Sequence, residues 1–353
     1  MGLFNNINNQ LDQPAQRHPF RWWHIPLLII LIAGTVLAYY SGNRGKSVTT
    51  GYMQSEGNVF GTIYHITYNF DSDLQTEIDS VLAGVDQSLS PFNPKSIITA
   101  INNNSEVEVD QHFVNVFNLA RTVNANTDGA FDITVAPLVN AWGFGFKNKE
   151  NVTDSLIEEL LTHVGMEKVS LDNGHVVKTD TLVMLDCSAI AKGYGVDAVG
   201  KYLESQGICD YMVEIGGEVR LRGLNPKGEK WSIGIMKPDD DPTCQQTELE
   251  QILHITDIAM ATSGNYRNFY EQDGRKYAHT IDPHTGHPVQ HSLLSATVLA
   301  SDCATADAYA TAFMVMGLER AKEVLNQHPE LQAFLIYSDK DGKTHNWTTH
   351  QFE

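Results

Sequence analysis

Bulky and polar side chains alternate through Val59–Phe70, by way of Ile63, His65 and Thr67, which is the period of a half-buried strand. The period then lengthens. Leu74, Ile78, Val81, Leu82, Val85 and Leu89 recur every three or four residues and predict an amphipathic helix. A Ser-Pro-Phe-Asn-Pro loop at 90–94 precedes a second apolar stripe, Phe113, Val116, Phe117 and Ala120, which Thr127-Asp128-Gly129 ends with turn chemistry. Leu156–Val164 predicts a short amphipathic helix, and 175–186 a pair of short strands.

From Leu182 the pattern becomes denser. Leu182–Cys187 reads as a strand, Ser188 stands where a helix N-cap would, and Val196, Val199 and Leu203 give the next helix its apolar side until Gly207 stops it. Tyr211–Ile215 and Glu218–Leu221 form a hairpin on Gly216-Gly217. Further strands are expected at Trp231–Met236, Ile258–Thr262, Tyr277–Ile281, Leu294–Ala300 and Leu331–Tyr337, and helices at Thr305–Met316 and Leu318–Gln327. Strands come singly and in hairpins, with helices between them and no strict βαβ rhythm. The expected fold class is α+β: one catalytic body with a mixed or mainly antiparallel sheet and packed helices.

An apolar run over 25–40 interrupts a polar beginning, with Trp22 and Trp23 before it and Tyr39 and Tyr40 at its end. It falls a little short of the roughly 20 residues that span a bilayer comfortably, yet its aromatic flanks suit the two interfaces. The run reads as an uncleaved anchor or as a signal peptide with a small-residue site at Val36-Leu37-Ala38. The organisation follows: a short tail over 1–24, the anchor over 25–40, a polar tether over 41–57, and the body over 58–353.

Charge narrows the function classes. The 353 residues carry 24 Lys and Arg against 43 Asp and Glu, a net −19, while Asp12, Arg17, Arg21, Arg44 and Lys46 leave the first fifty positive. The body is therefore strongly acidic, which excludes sequence-independent nucleic-acid binding. Four scattered cysteines, Cys187, Cys209, Cys244 and Cys303, contain no CxxC pair and read as small apolar residues, with one disulfide left open.

Three constellations carry chemistry. In Asp186–Gly195 a strand ends in Asp186 and a helix starts with Lys192, Gly193 and Gly195 in its first turns. Free N–H groups, a positive dipole end and a lysine suit a phosphate, although neither a Walker loop nor a Gly-x-Gly-x-x-Gly fingerprint is present. In Ser301–Thr311, Asp307 and Thr311 lie one helical turn apart on a face of small residues. A carboxylate and a hydroxyl there can hold magnesium, with phosphate and water oxygens completing its shell. In Tyr277–Gly286, His279, Asp282 and His284 surround an Asp-Pro-x-Thr-Gly turn, where His279 or Asp282 can act as a base.

The stretches Ser88–Ser96, Thr127–Pro137, Asp186–Asp197, Val213–Gly223, Ala261–Tyr266, His279–Val289 and Ser301–Thr311 resemble the ApbE-type flavin transferases (FAD:protein FMN transferases), in the family's order, across nearly all of residues 58–317. The resemblance implies an ApbE-like, T-fold-related body that cleaves FAD and attaches FMN through a phosphoester to a Thr or Ser of a target protein, releasing AMP. It implies Mg²⁺ held by Asp307, Thr311 and the Ala189 carbonyl. Flavin contacts are implied at Phe92, Ala130, Phe131, Asp132, Asp186 and Thr285, with Lys192 at the pyrophosphate and His279 as base. The implied acceptors are subunits of the sodium-translocating NADH:quinone reductase or related redox complexes. The implied address is the bacterial inner (cytoplasmic) membrane, with the catalytic domain on the periplasmic side. No lipid-bearing Cys follows the 25–40 run, so the anchor would be that run itself. Phe92 stands where the family often has Tyr, which leaves FAD hydrolysis open beside transfer, and a non-catalytic flavin carrier uses the same pocket.

Overall fold

The computed structural model describes residues 51–147, 152–238, 249–264, 269–272, 275–278, 280–350 and 352. The apolar run at 25–40 lies outside them; among the described residues no helix is long and apolar enough to cross a membrane.

The sheet begins with a hairpin, β1 (Tyr52–Val59) and β2 (Thr62–Asn69), paired along its full length. The tether expected over 41–57 therefore gives way to strand at Tyr52. Helix α1 (Gln75–Leu89) follows and buries Ile78, Leu82, Val85 and Leu89. Two helices missed or only outlined by periodicity come next, α2 (Ile97–Asn102) and α3 (Gln111–Asn126), whose first turns are capped by the side chains of Ser96 and Asp110. Then come α4 (Ala136–Trp142), α5 (Asp154–Leu161) and a small ribbon of β3 (Val169–Asp172) and β4 (His175–Lys178).

Leu182–Cys187 is not a sheet strand. Its backbone is held by a side chain: the Leu185 N–H donates to Asn102 Oδ1 at 2.7 Å, and Asn102 Nδ2 donates back to the Leu185 carbonyl at 2.8 Å. Asp186 N–H donates to the Ile133 carbonyl at 2.7 Å. An amide side chain thus holds one side of the segment, and a single parallel bridge from Met184 to Val135 holds the other, too short to make a strand. Helix α6 (Ser188–Ser205) starts at Ser188, so Ser188 is its first residue rather than its cap.

The remaining elements are β5 (Tyr211–Ile215), β6 (Glu218–Arg222), β7 (Trp231–Met236), β8 (Leu249–Ile255), β9 (Ile258–Gly264), β10 (Phe269–Gln272), β11 (Arg275–Ala278), β12 (Leu293–Ala300), α7 (Cys303–Gln327), β13 (Gln332–Ser338) and β14 (Thr344–Thr348). Gly317 breaks α7 at φ 75°, ψ 178°, which divides it where two helices were expected.

Eight strands form one sheet in the order β1-β2-β5-β6-β9-β12-β13-β14, and every ladder in it is antiparallel. Strand alternation gives it two apolar faces. Ala261, Ala296, Val298, Ala300, Ala333 and Leu335 pack toward the helices, whereas Met260, Leu299, Phe334 and Ile336 pack with Ile235 and Leu253 of the β7–β8 hairpin. Small residues on the helix face let α7, itself lined by Ala304, Ala306, Ala308, Ala310 and Ala312, lie close to the sheet. Larger side chains beside them, such as Phe313 and Phe117, each contribute roughly 1.5–3 kcal/mol by burial.

Candidate active site

Helices α6 and α7 cross antiparallel, and polar contacts fix their register. Asp197 on α6 accepts the first N–H groups of α7, from Cys303 at 3.0 Å and Ala304 at 2.9 Å. One turn earlier on α6, the Gly193 N–H donates to Asp307 Oδ2 at 3.0 Å. Only glycine fits at 193, because a Cβ there would lie 2.4 Å from the Cys303 carbonyl oxygen and 2.8 Å from the Asp307 Cβ. The contacts step backward along α6 as they step forward along α7. Ala189 lies on the α6 turn before Gly193, and Thr311 on the α7 turn after Asp307. Thr311 Oγ1 is 3.3 Å from Ser263 Oγ on β9.

Charge is concentrated at this crossing. Asp307 is 4% exposed and Glu218, on β6, 2% exposed; the Lys192 ammonium is bonded to Glu218. Burial pushes both carboxyls up, and Lys192 pulls them back only in part. Burial also works against the Lys192 charge, but Asp307 and Glu218 outweigh it and hold the ammonium above the ordinary lysine value. Glu218 Oε2 is buried and without a hydrogen-bond partner. Beside this cluster Arg220 donates to Asp197 Oδ1 at 2.8 Å and to Glu204 Oε1 at 3.0 Å, and so neutralises Asp197.

Among the described residues no three His, Cys, Asp or Glu side chains are placed to hold a metal by themselves. The fit to a hard cation is of a sparser kind. Asp307, Thr311 and the Ala189 carbonyl are all oxygen donors, as magnesium requires, and two buried carboxylates face one ammonium.

The expected flavin segment meets the approach to α6, where the Ile133 carbonyl accepts the Asp186 N–H. Ala130 and Phe131 are each 2% exposed, and Phe131 belongs to the main core, so this segment offers backbone rather than those two side chains. The Asp132 carboxylate locks a turn. It accepts the Thr134 N–H at 2.7 Å and hydroxyl at 2.6 Å through Oδ1, and the Met166 N–H at 3.2 Å through Oδ2. Burial raises its pKa against these bonds. Asp186 likewise accepts the Ser188 N–H at 2.8 Å and hydroxyl at 2.5 Å, and burial raises its pKa.

The 280–289 turn closes onto this segment. Asp282 Oδ1 accepts the His284 N–H at 2.9 Å and lies 3.1 Å from its Nδ1, while Oδ2 accepts the Thr285 hydroxyl at 3.1 Å. His284 Nε2 donates to the Asp128 carbonyl at 2.8 Å, and the indole of Trp142 donates to the Gly286 carbonyl at 2.8 Å. With both oxygens engaged, Asp282 organises the turn, which counts against it as the alternative base. His279 lies outside the described residues.

Hydrogen bonds thus join Thr285 and His284 to Asp282, His284 to the Asp128 carbonyl, Asp186 to the Ile133 carbonyl and Gly193 to Asp307, with the chain itself bridging 128 to 133 and 186 to 193. Phe92 takes no part in these bonds. It is 65% exposed and packs edge-to-face on Phe146, ring centroids 6.2 Å apart. The spacing arguments missed Glu218, Asp197, Arg220 and Ser263. Glu218 had a signal, a charged residue opening a strand whose next position, Val219, is apolar; Asp197 and Arg220 become legible only once the two helices are docked.

Comparison with known proteins places this geometry. The sequence model of the ApbE family matches residues 60–335. The FAD:protein FMN transferase of Vibrio cholerae serotype O1 is 41% identical over 297 residues, 81% of this chain and 87% of that protein. The enzyme of the same name from Haemophilus influenzae is 36% identical over 310 residues, 83% of this chain and 88% of that protein. The structure of the flavin transferase ApbE from Vibrio cholerae superposes with a TM-score of 0.78 at 38% identity, covering 86% of this chain and 98% of its own. The flavinyl transferase ApbE of Pseudomonas stutzeri gives 0.76 at 29% identity, covering 85% and 95%. Extensive identity and a shared fold agree: the chain belongs to the ApbE family of flavin transferases.

Proposed function

We propose that this chain moves FMN from FAD to a Thr or Ser hydroxyl of an acceptor protein, forming a phosphoester and releasing AMP, with Mg²⁺ held by Asp307, Thr311 and the Ala189 carbonyl. The observation that carries the reading is the α6–α7 crossing, where a buried carboxylate with one hydrogen bond sits against the second turn of α6. Mg²⁺ bound there would neutralise charge on the phosphoryl oxygens and on departing AMP.

The chain's own groups do the rest. In the first turn of α6 the Ser188 N–H is taken by Asp186 and those of Ile190 and Ala191 by the Cys187 carbonyl, which leaves the Ala189 N–H and the positive end of the helix for the pyrophosphate. Gly193 orients Asp307, and Asp197 holds the start of α7. His279 takes the proton of the acceptor hydroxyl, whose oxygen bonds to the FMN-side phosphorus as the bond to the AMP oxygen breaks. Ala130, Phe131, Asp132, Asp186 and Thr285 would contact the flavin end.

We further place 25–40 as a single anchor in the bacterial inner membrane, with the body on the periplasmic side and acceptors among subunits of the sodium-translocating NADH:quinone reductase or its relatives. The apolar run and its flanking aromatics support this part. One observation favours a second reading, hydrolysis of FAD to FMN and AMP: Phe92 brings no hydroxyl to its exposed position.

The test incubates the full chain in detergent with FAD, Mg²⁺ and such a subunit, and reads in-gel flavin fluorescence and AMP. Labelled acceptor with matching AMP, reduced about a hundredfold or more in Asp307→Asn, is the expected result. AMP and free FMN with no labelled acceptor would favour hydrolysis. Neither product from FAD-bound protein would sink the enzyme reading.

A further inference from the structure

Two buried carboxylates compete for one ammonium at the α6–α7 crossing. The charges of both act on the Lys192 ammonium, yet among the described residues its ion pair is with Glu218 Oε1 and not with Asp307. Asp307 instead spends Oδ2 on the Gly193 N–H. Remove Glu218, and the strongest charge on this ammonium is Asp307, which a flexible lysine stem can follow. Stability alone gives a poor account of the pair. An ion pair that desolvates a carboxylate is often no better than packed apolar residues, and this one, with Glu218 buried and Lys192 partly exposed, strands Glu218 Oε2 without a partner.

We propose that Glu218 is a positioning residue that acts through Lys192: it holds the ammonium away from Asp307 and so keeps Asp307 open to the divalent cation. The proposal rests on the metal reading of Asp307 given above. It makes the effect of Glu218 conditional on the presence of Lys192, which neither direct ligation nor a diffuse negative field would do.

A double-mutant cycle tests that condition. Mn²⁺ binding to the full chain is measured by electron paramagnetic resonance and calorimetry, without FAD, for the wild type, Glu218→Gln, Lys192→Met, the double variant and Asp307→Asn. Expected is a loss of about tenfold in Mn²⁺ affinity for Glu218→Gln, and a double variant that binds within about twofold of Lys192→Met, a strong coupling between contacting residues. Equal losses from Glu218→Gln in both backgrounds would overturn the proposal and make Glu218 a direct contributor to the cation. Unchanged affinity in Glu218→Gln would overturn it as well. If the wild type binds no Mn²⁺, or Asp307→Asn binds as well as the wild type, the metal reading falls and the proposal with it. Glu218→Asp, which keeps the charge and shortens the reach, serves in the same cycle should the glutamine variant not fold.

Discussion

The α6–α7 crossing and the 282–287 turn each bring an aspartate beside small and hydroxylated residues, and in sequence the two look alike. Their carboxylates end in opposite states. Asp282 has both oxygens engaged, by the His284 N–H and ring and by the Thr285 hydroxyl. Asp307 receives one N–H, and Glu218 beside it leaves an oxygen buried and bare. A carboxylate is available for chemistry where the fold has desolvated it without filling its lone pairs. Filled lone pairs make the same group a structural rivet.

Exchanging the functions of the turn breaks the comparison most directly. His279→Ala is expected to reduce the rate of FMN transfer by about 10²–10⁴, the range of a lost general base. Asp282→Asn keeps an oxygen for the His284 N–H and should stay within about tenfold of the wild type. Rates at saturating FAD across pH 6–9 check both. A larger loss in Asp282→Asn, with disappearance of the basic limb, would make Asp282 the base after all.

A second contrast sets stability against turnover. Asp132→Ala strips the Thr134 N–H, the Thr134 hydroxyl and the Met166 N–H of one acceptor, and is expected to destabilise the fold by about 2 kcal/mol. Asp307→Asn keeps an acceptor for Gly193 and removes a desolvated charge, so its stability should equal or exceed that of the wild type while transfer is lost. Urea unfolding of both variants decides the matter. Matching losses of stability would mean that the two carboxylates differ less than their bonds imply.

Much of this was legible in advance, and what was not has a physical reason. The β5–β6 hairpin, the division of α7 near Gly317 and the placement of Asp307 and Thr311 one turn apart on α7 all follow from local spacing or turn chemistry. Leu182–Cys187 reads as a strand because apolar alternation cannot reveal that its partners are the Asn102 side chain, more than eighty positions away, and one bridge to Val135. The N-terminal strand β1 was hidden by its small and polar residues, since only its neighbour β2 buries a full apolar row. At the site, spacing marked Lys192 for a phosphate but could not supply Glu218, which binds it from a different element. Sequence patterns find side chains that share a helix face; they cannot count how many lone pairs the rest of the fold will use.

The smallest effect concerns pH, and here the two kinds of carboxylate should differ in sign. Burial lifts the Glu218 carboxyl to about 7. Between the ordinary glutamate value and that point the native protein holds a proton that the unfolded chain has released, so stability falls as pH rises through the window. Asp180 is the opposite case: the Leu182 N–H and His163 hold its carboxyl below the usual range. Its contribution is present above the ordinary aspartate value and is lost as pH falls through the lower native one. The Tm of the full chain in EDTA, followed from pH 3 to 8, should therefore decline at both ends for different reasons. Glu218→Gln is expected to flatten the neutral decline alone, and Asp180→Asn to soften the acid decline slightly, since that group is solvent-exposed. If Glu218→Gln instead left the neutral decline unchanged, the bare oxygen at the crossing would be filled in solution, and the contrast between the two regions would lose its basis.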